Sequence, residues 1–234
     1  TCLRFRCLGH RQHLLFGAPG CNLESAGNNT RFWNASGACC NFFGGTDNDA
    51  TYIKAIIDQV KAGYNVDANR IYLIGHSNGG FMSYLLANQY PETIAALVSL
   101  AGAEAGERRP APAAPVHILQ IPGTEEGTIA YAGADIRGNR YPGAVETVER
   151  WANYNGCQMT GVEVAQLDLE RELTGYDSRV MRYDEGCRTG GSGELWTIDG
   201  GSHIPALSDS FSENVVEWLY AHPKVRVDTQ LTSD

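Results

Sequence analysis

Nowhere do the 234 residues approach the ~20 consecutive apolar positions that a membrane-spanning helix needs. Basic residues are few: 18 Lys and Arg stand against 27 Asp and Glu, for a formal net charge of −9. No basic cluster exceeds Arg108-Arg109, which argues against nucleic acid as a partner. There is no Cys-x-x-Cys pair, so no zinc site is expected, and no Gly-Lys-Ser/Thr that would mark a Walker-type phosphate loop. Repeats and low-complexity tracts are absent. The first residues, Thr1-Cys2-Leu3-Arg4-Phe5-Arg6-Cys7, lack the unbroken apolar stretch of a signal peptide. Thr1 is not a start methionine, so the chain reads as mature or cut.

Cysteine, by contrast, is plentiful. Cys2, Cys7, Cys21, Cys39, Cys40, Cys157 and Cys187 suit an exported protein, secreted or periplasmic, with some disulfides; the competing reading is reduced, buried thiols. Seven is odd, so at least one lacks a partner within the monomer. Asn28-Asn29-Thr30 and Asn34-Ala35-Ser36 match the N-glycosylation pattern, which has meaning only in a eukaryotic secretory pathway.

The apolar fraction, 43%, and the length suit one domain with a full core. Residues 1–30 show neither helical nor strand period and predict an irregular segment with at most one short strand, its only compact apolar run being Leu14-Leu15-Phe16. Trp33 to Gly45 is a second irregular stretch. Ile53, Ile56, Ile57 and Val60 then mark one face of a helix starting at Asp49. Buried strands are predicted at Ile71–Ile74, Ala95–Ala101, Val116–Ile121 and Leu195–Ile198, with helices through Phe81–Asn88, Val145–Ala152 and Phe211–Leu219. Glu104 to Pro115 reads as a proline-alanine surface linker, and the chain from Lys224 as a frayed tail. Strands alternating with helices predict an α/β fold with a parallel sheet, its domain spanning residues 31–223 and followed by a tail at 224–234.

The chain is organised around Ile71-Tyr72-Leu73-Ile74-Gly75-His76-Ser77-Asn78-Gly79-Gly80-Phe81. A bare Gly-x-Ser-x-Gly arises by chance in roughly one chain in ten of this length, given ordinary Gly and Ser usage. Here it joins a predicted strand to a predicted helix, the setting in which a serine sits on a sharp turn with its hydroxyl above the sheet. Gly75 and Gly79 are expected to let neighbouring backbone pass. The helix start aims N–H groups and the positive end of its dipole at the same spot, where an oxyanion forms during acyl transfer. The Asn78 N–H is the expected donor.

Serine needs a base, and the base needs an orienting partner. In open α/β sheets these gather beyond the carboxyl ends of the strands. Glu125-Glu126 follows one predicted strand, and Gly200-Gly201-Ser202-His203 follows another. The order Ser, acid, His is that of α/β-hydrolases. His203 is the preferred base, because the glycines let its loop approach the serine. His10, His13, His117 and His222 lack such a setting, and His76 flanks the nucleophile. Glu126 is preferred to Glu125 as the acid, with Asp135 and Asp199 as outsiders.

The run Trp33-Asn34-Ala35-Ser36-Gly37-Ala38-Cys39-Cys40, the helix after it, and Val66 through Met82 resemble the secreted esterase/polyhydroxybutyrate depolymerase family, allied to feruloyl and acetylxylan esterases of carbohydrate esterase family one. The likeness continues through Gly123-Thr124-Glu125-Glu126, Tyr131, Trp151, Asn155-Gly156-Cys157, Cys187 and Gly200 to His203, covering about residues 31–221. It implies an α/β-hydrolase with a mostly parallel sheet flanked by helices. It also implies Ser77 as nucleophile, His203 as base, and the acid at Glu126, where the family usually has Asp. Cys157 and Cys187 fall where the family carries a disulfide, and Trp33 and His76 are carried over as walls of a substrate cleft, with a core aromatic as the competing reading of Trp33. The sequence departs from the family in three places. No upstream His-Gly loop is found to give a second oxyanion N–H, so the fold is expected to be shortened at its N-terminus. Pro122 stands where His is frequent, and Ile204-Pro205 replaces Trp-Pro.

The expectation is a serine carboxylic ester hydrolase acting on small, aryl or polymeric esters, polyhydroxyalkanoate and feruloyl or acetyl polysaccharide among them. No metal and no organic cofactor is required. The rival readings are a crippled homologue that binds polymer or carbohydrate without catalysis, and a serine peptidase on the same fold.

Overall fold

The computed structural model describes residues 22–23, 31–42 and 44–225. Cys2, Cys7, Cys21, His10, His13, the Leu14–Phe16 run and the Asn28 sequon lie outside the described residues.

Two short strands, β1 (Asn22–Leu23) and β2 (Arg31–Phe32), pair antiparallel. An irregular stretch then leads to α1 (Asp49–Gly63), whose first turn is capped by the Asn48 side chain accepting from the Thr51 N–H at 3.0 Å. β3 (Tyr72–His76), α2 (Asn78–Gln89), β4 (Ala96–Leu100) and β5 (His117–Ile121) follow. A hairpin, β6 (Gly133–Ile136) and β7 (Asn139–Pro142), precedes α3 (Ala144–Tyr154). The chain then forms β8 (Val162–Leu167), β9 (Ser178–Tyr183), β10 (Ser192–Ile198) and α4 (Phe211–Ala221).

The six-stranded sheet has the order β3-β4-β5-β10-β9-β8. Its first four strands are parallel; β9 and β8 are added antiparallel. The sheet is therefore mostly parallel, as expected, but its far edge is an antiparallel ribbon. β9 escapes a pattern search because Arg179 and Arg182 interrupt its apolar residues. Those arginines pair with Asp199 and Glu194.

Strand alternation sorts the core into two layers. Leu97, Ile118 and Leu195 face α2 and α3, packing with Tyr84, Val148 and Trp151. Ala96, Val98, Leu119, Ile121, Trp196 and Ile198 face α4, packing with Val215, Trp218 and Leu219. At about 1.5–3 kcal/mol for each fully buried large aliphatic side chain, these faces supply the main driving force for closing the sheet between helices. A third cluster joins Phe81 and Met82 of α2 to Ala35, Ala38 and Cys39.

Two expectations about charged segments need correcting. Glu104 to Pro115 is not wholly a surface linker: Glu107, Arg108, Pro110, Ala111 and Ala113 are exposed, but the Glu104 carboxylate is buried, accepts from the Trp151 indole N–H, and pairs with Arg109 at 2.7 Å. Burial pushes the Glu104 carboxyl upward, while Arg109, the Trp151 N–H and Arg150 pull it back. Nor does fraying begin at Lys224. Its backbone N–H donates to Asn69 O, and its buried ammonium donates to Ile94 O and Pro115 O, stitching together the approaches to β3, β4 and β5. The buried ammonium is tolerated there because two carbonyl oxygens accept its hydrogen bonds.

Candidate active site

Because β3, β4, β5 and β10 are parallel, the segments that follow them share one edge of the sheet. Ser77 lies there between β3 and α2. Its φ is 53° and its ψ −119°, a sparsely populated region for a residue with a side chain. Surrounding contacts enforce it: the Ser77 N–H donates to Leu100 O at 2.8 Å, and Ser77 O accepts from Gly80 N at 2.8 Å. A Cβ on Gly75 would run into the Gly79 carbonyl, so glycine is required at that position. Gly79 differs from expectation, since a Cβ there would meet nothing within 4 Å; the second close approach is at Gly80, against the Ser99 hydroxyl.

The loops that follow β5 and β10 are laced together. The Thr124 N–H donates to Ile198 O and the Glu125 N–H to Gly201 O, both at 3.0 Å, while the Gly200 N–H donates to the Thr124 hydroxyl at 2.7 Å. Gly123 sits so close to the Gly201 carbonyl that no side chain fits between them. This crossing brings His203 Nδ1 to 2.6 Å from Glu126 Oε1. Oε1 also accepts from the backbone N–H groups of Thr128, at 3.1 Å, and Ile129, at 2.9 Å. The Glu126 side chain is fully buried, and its Oε2 has no hydrogen-bond partner among the described residues. A carboxylate only accepts, so the proton of the pair sits on His203 Nδ1. That leaves Nε2 of the neutral ring bare and able to take a proton. No hydrogen bond among the described residues joins Nε2 to the Ser77 hydroxyl; such contacts often tighten only around substrate.

None of the other candidate carboxylates bonds to His203 among the described residues. Glu125 is exposed. Asp199 binds Arg179 through both oxygens, at 2.7 and 2.8 Å. Asp135 accepts from Gly138 N in the β6–β7 turn. His117 opens β5 and so lies at the opposite edge, with its Nδ1 2.8 Å from the Ser192 hydroxyl. Its ring packs against His222, 4.7 Å between centroids.

Asn78 begins α2, and its backbone N–H is among those that a helix start leaves without an intrahelical acceptor. Its side chain clamps the Trp33 backbone: Oδ1 accepts from Trp33 N at 2.5 Å, and Nδ2 donates to Trp33 O at 3.0 Å. The Trp33 ring packs partly buried against the Phe81 and Met82 cluster, so the core role that competes with a cleft wall has direct support. The half-buried Asn34 donates through Nδ2 to Gly45 O and Asp47 O, at 3.0 Å each, so the amide of its sequon is engaged. His76 is exposed, and its Nε2 lies 2.7 Å from the carbonyl oxygen of His203, a contact the motif did not foreshadow.

Among the described residues two disulfides are present. Cys157–Cys187 ties the end of α3 to the β9–β10 connection, and Cys39 bonds its neighbour Cys40. A cavity of about 660 Å³ opens between Ala35–Ala38, Ala105–Pro110 and the β6–β7 turn. Ser77, Glu126 and His203 do not line it, and two of its three arginines already pair with Glu104 and Glu146. The described residues contain no cluster of three His, Cys, Asp or Glu able to hold a metal ion, and no helix long and apolar enough to cross a membrane.

Residues 13–154 match the model of the family described as esterase PHB depolymerase, more than half of the chain. Feruloyl esterase B of Piromyces equi is 31% identical over 181 residues, 73% of this chain and 31% of that protein. Feruloyl esterase D of Neurospora crassa is 28% identical over 166 residues, covering 69% and 49%. Poly(3-hydroxyalkanoate) depolymerase C of Paucimonas lemoignei is 35% identical over 74 residues, covering 30% and 18%. The chain thus spans less than half the length of each of these relatives. An acetyl xylan esterase from Aspergillus awamori shares the fold, with a TM-score of 0.50 at 14% identity over 74% of this chain and 67% of that one. A mostly parallel sheet between helices, a strained serine at the strand–helix turn and a family model matched from before α1 to the end of α3 lead to one statement: the chain belongs to the esterase PHB depolymerase family.

Proposed function

We propose that the chain is a serine carboxylic ester hydrolase working through an acyl-enzyme. The observation that carries this reading is the 2.6 Å bond between His203 Nδ1 and Glu126 Oε1, beside a serine held at positive φ. Ser77 Oγ attacks the ester carbonyl carbon as its proton passes to His203 Nε2. Glu126 keeps the second ring proton on Nδ1 and offsets the charge of the imidazolium. The Asn78 N–H stabilises the oxyanion. Collapse expels the alcohol, which leaves with the proton from His203. Water then repeats the sequence on the acyl-enzyme and releases the acid. No metal or organic cofactor enters these steps.

The names of the relatives support a substrate among feruloyl esters, acetylated xylan and poly(3-hydroxyalkanoates), and small aryl esters belong to the same proposal as substrates of the same chemistry. Two disulfides support an oxidising compartment, outside the cell or in a periplasm. One observation favours the rival reading of a non-catalytic polymer- or carbohydrate-binding protein. The Trp33 and Asn34 N–H groups, next to the elbow, are taken by Asn78 and Asp49, so neither is a second oxyanion donor. Losing one such donor typically costs ~10²–10³ in rate. An ester panel from p-nitrophenyl acetate to methyl ferulate, run on wild type beside Ser77→Ala, separates the readings. The proposal requires turnover that falls ~10⁴-fold or more in the variant; near-normal turnover without the serine sinks the mechanism.

A further inference from the structure

We infer that His76 is a positioning residue: its imidazole holds the main chain of His203 and so fixes where the base ring stands. The inference rests on the proposed role of His203 as base. A carbonyl oxygen only accepts, so at 2.7 Å the proton must sit on His76 Nε2, which donates to His203 O. The two rings also meet directly, with centroids 4.9 Å apart and planes inclined by 46°.

The need for such a tether is visible in the loop. Gly201 is bonded to Ile198 O and Glu125 N. The chain is next held at Pro205 O, which accepts from Leu207 N at 3.0 Å, and at Ala206 N, which donates to Glu170 Oε2 at 2.8 Å. Between those anchors, the contact with His76 is the one hydrogen bond made by the backbone of residues 202–204 among the described residues. Burial does not secure the flanks of His203: Ser202 is exposed and Ile204 is 77% exposed. Glu126 grips one atom of the ring and leaves rotation about that bond open. A second hold on the backbone removes that freedom. His76 is suited to the task because it directly precedes Ser77, on the strand end that fixes the nucleophile. One rigid dipeptide therefore carries the serine and sets the place of its base, across 127 residues of sequence. A wall of a substrate cleft, the role implied by resemblance alone, needs no such bond.

The test compares His76→Leu, which cannot donate, with His76→Gln, whose amide nitrogen falls near Nε2 and can. Both are assayed on p-nitrophenyl butyrate beside wild type and Ser77→Ala. A misplacement of about 1 Å costs up to ~10²-fold in rate. His76→Leu should lose about 10- to 100-fold in kcat with KM within about 2-fold, and His76→Gln should recover to within about 3-fold of wild type. An unchanged kcat in His76→Leu overturns the inference. So does an equal loss in both variants, or a rise in KM alone, which marks a cleft wall. A second readout needs no turnover. In ¹⁵N-histidine-labelled protein, the His203 Nδ1 proton bound to Glu126 gives a downfield resonance, assigned by its loss in His203→Gln. It should broaden away in His76→Leu and survive in His76→Gln; survival in both overturns the inference. If Ser77→Ala proves fully active, the esterase mechanism fails instead, and the resonance decides the role of His76 by itself.

Discussion

Replacing Glu126 by Gln tests the acid in a way that depends on its surroundings. An amide can sit in the pocket in two orientations. In one, its oxygen stays where Oε1 is and accepts from Thr128 N, Ile129 N and His203 Nδ1, as the carboxylate does. In the other, its NH₂ group faces three N–H donors. Two backbone donors at 3.1 and 2.9 Å make the second orientation unfavourable, since each would lose its acceptor at about 1–3 kcal/mol. The oxygen-forward orientation should win, and with it the Nδ1–H tautomer of His203 survives. What disappears is the charge opposite the imidazolium. A charge-assisted hydrogen bond exceeds a neutral one by about 1–1.5 kcal/mol. Unit charges about 4 Å apart at an effective dielectric near 20 interact by about 4 kcal/mol. These bounds predict a fall in kcat of about 10- to 10³-fold. An amide that turned and inverted the tautomer would cost about 10⁴-fold, as in serine proteases.

Glu126→Ala removes charge and acceptor together and should reach about 10⁴-fold or more, whereas Glu125→Gln, on an exposed side chain, should stay within about 2-fold. In Glu126→Gln the new amide NH₂ takes the place of Oε2, which has no partner among the described residues in the native chain either, so one unpaired atom replaces another and stability should change by less than about 1 kcal/mol. For a chain of this size, that moves Tm by no more than roughly 2–4 °C. The assay is steady-state hydrolysis of p-nitrophenyl butyrate with thermal unfolding in parallel. A loss in Glu126→Gln as large as in Glu126→Ala would refute the backbone clamp. A loss under about 3-fold would refute Glu126 as the acid.

A serine-directed phosphonate should label Ser77 and no other residue in intact protein, as read by peptide mass mapping; labelling elsewhere moves the nucleophile. Replacing Cys157 and Cys187 together by Ala opens a closed loop with a sequence separation of 30, for which chain-entropy models give about 3.6 kcal/mol. With an m-value of about 3 kcal/mol/M the urea midpoint should fall by about 1.2 M, and a shift below about 0.3 M contradicts that figure. His117 is pushed down to about 3, first by burial and then by His222 and Lys224. Between the ordinary 6.5 and about 3 the unfolded chain binds a proton that the folded chain does not, so stability is lost as pH falls through that window. Tm measured against pH should therefore fall less steeply below 6.5 in His117→Asn than in wild type, and parallel curves would exclude the effect.

The parts of the site that were legible in the sequence are those built within a few residues. The elbow around Ser77 needs a strand, a glycine and a helix start in immediate succession, and all three lie in one short peptide. That Glu126 and His203 meet was legible by a weaker rule, that candidate site side chains gather after parallel strands, because β5 and β10 are buried, apolar and easily recognised. β9 was missed because its arginines read as loop, although their partners, Asp199 and Glu194, lie across the ladder on β10 or at its end. Glu104 and Lys224 were misplaced for the same reason. A charged residue is assigned to the surface unless a partner is known, and those partners lie in Trp151, Arg109, Ile94 and Pro115. His76 shows the limit most clearly. Its neighbour Ser77 identified it as a flank, yet its bond is to a backbone carbonyl, an atom every residue possesses. No residue type or spacing can announce such an acceptor. It becomes visible only when β10 is laid beside β5 and the Gly201 crossing carries His203 back over the end of β3.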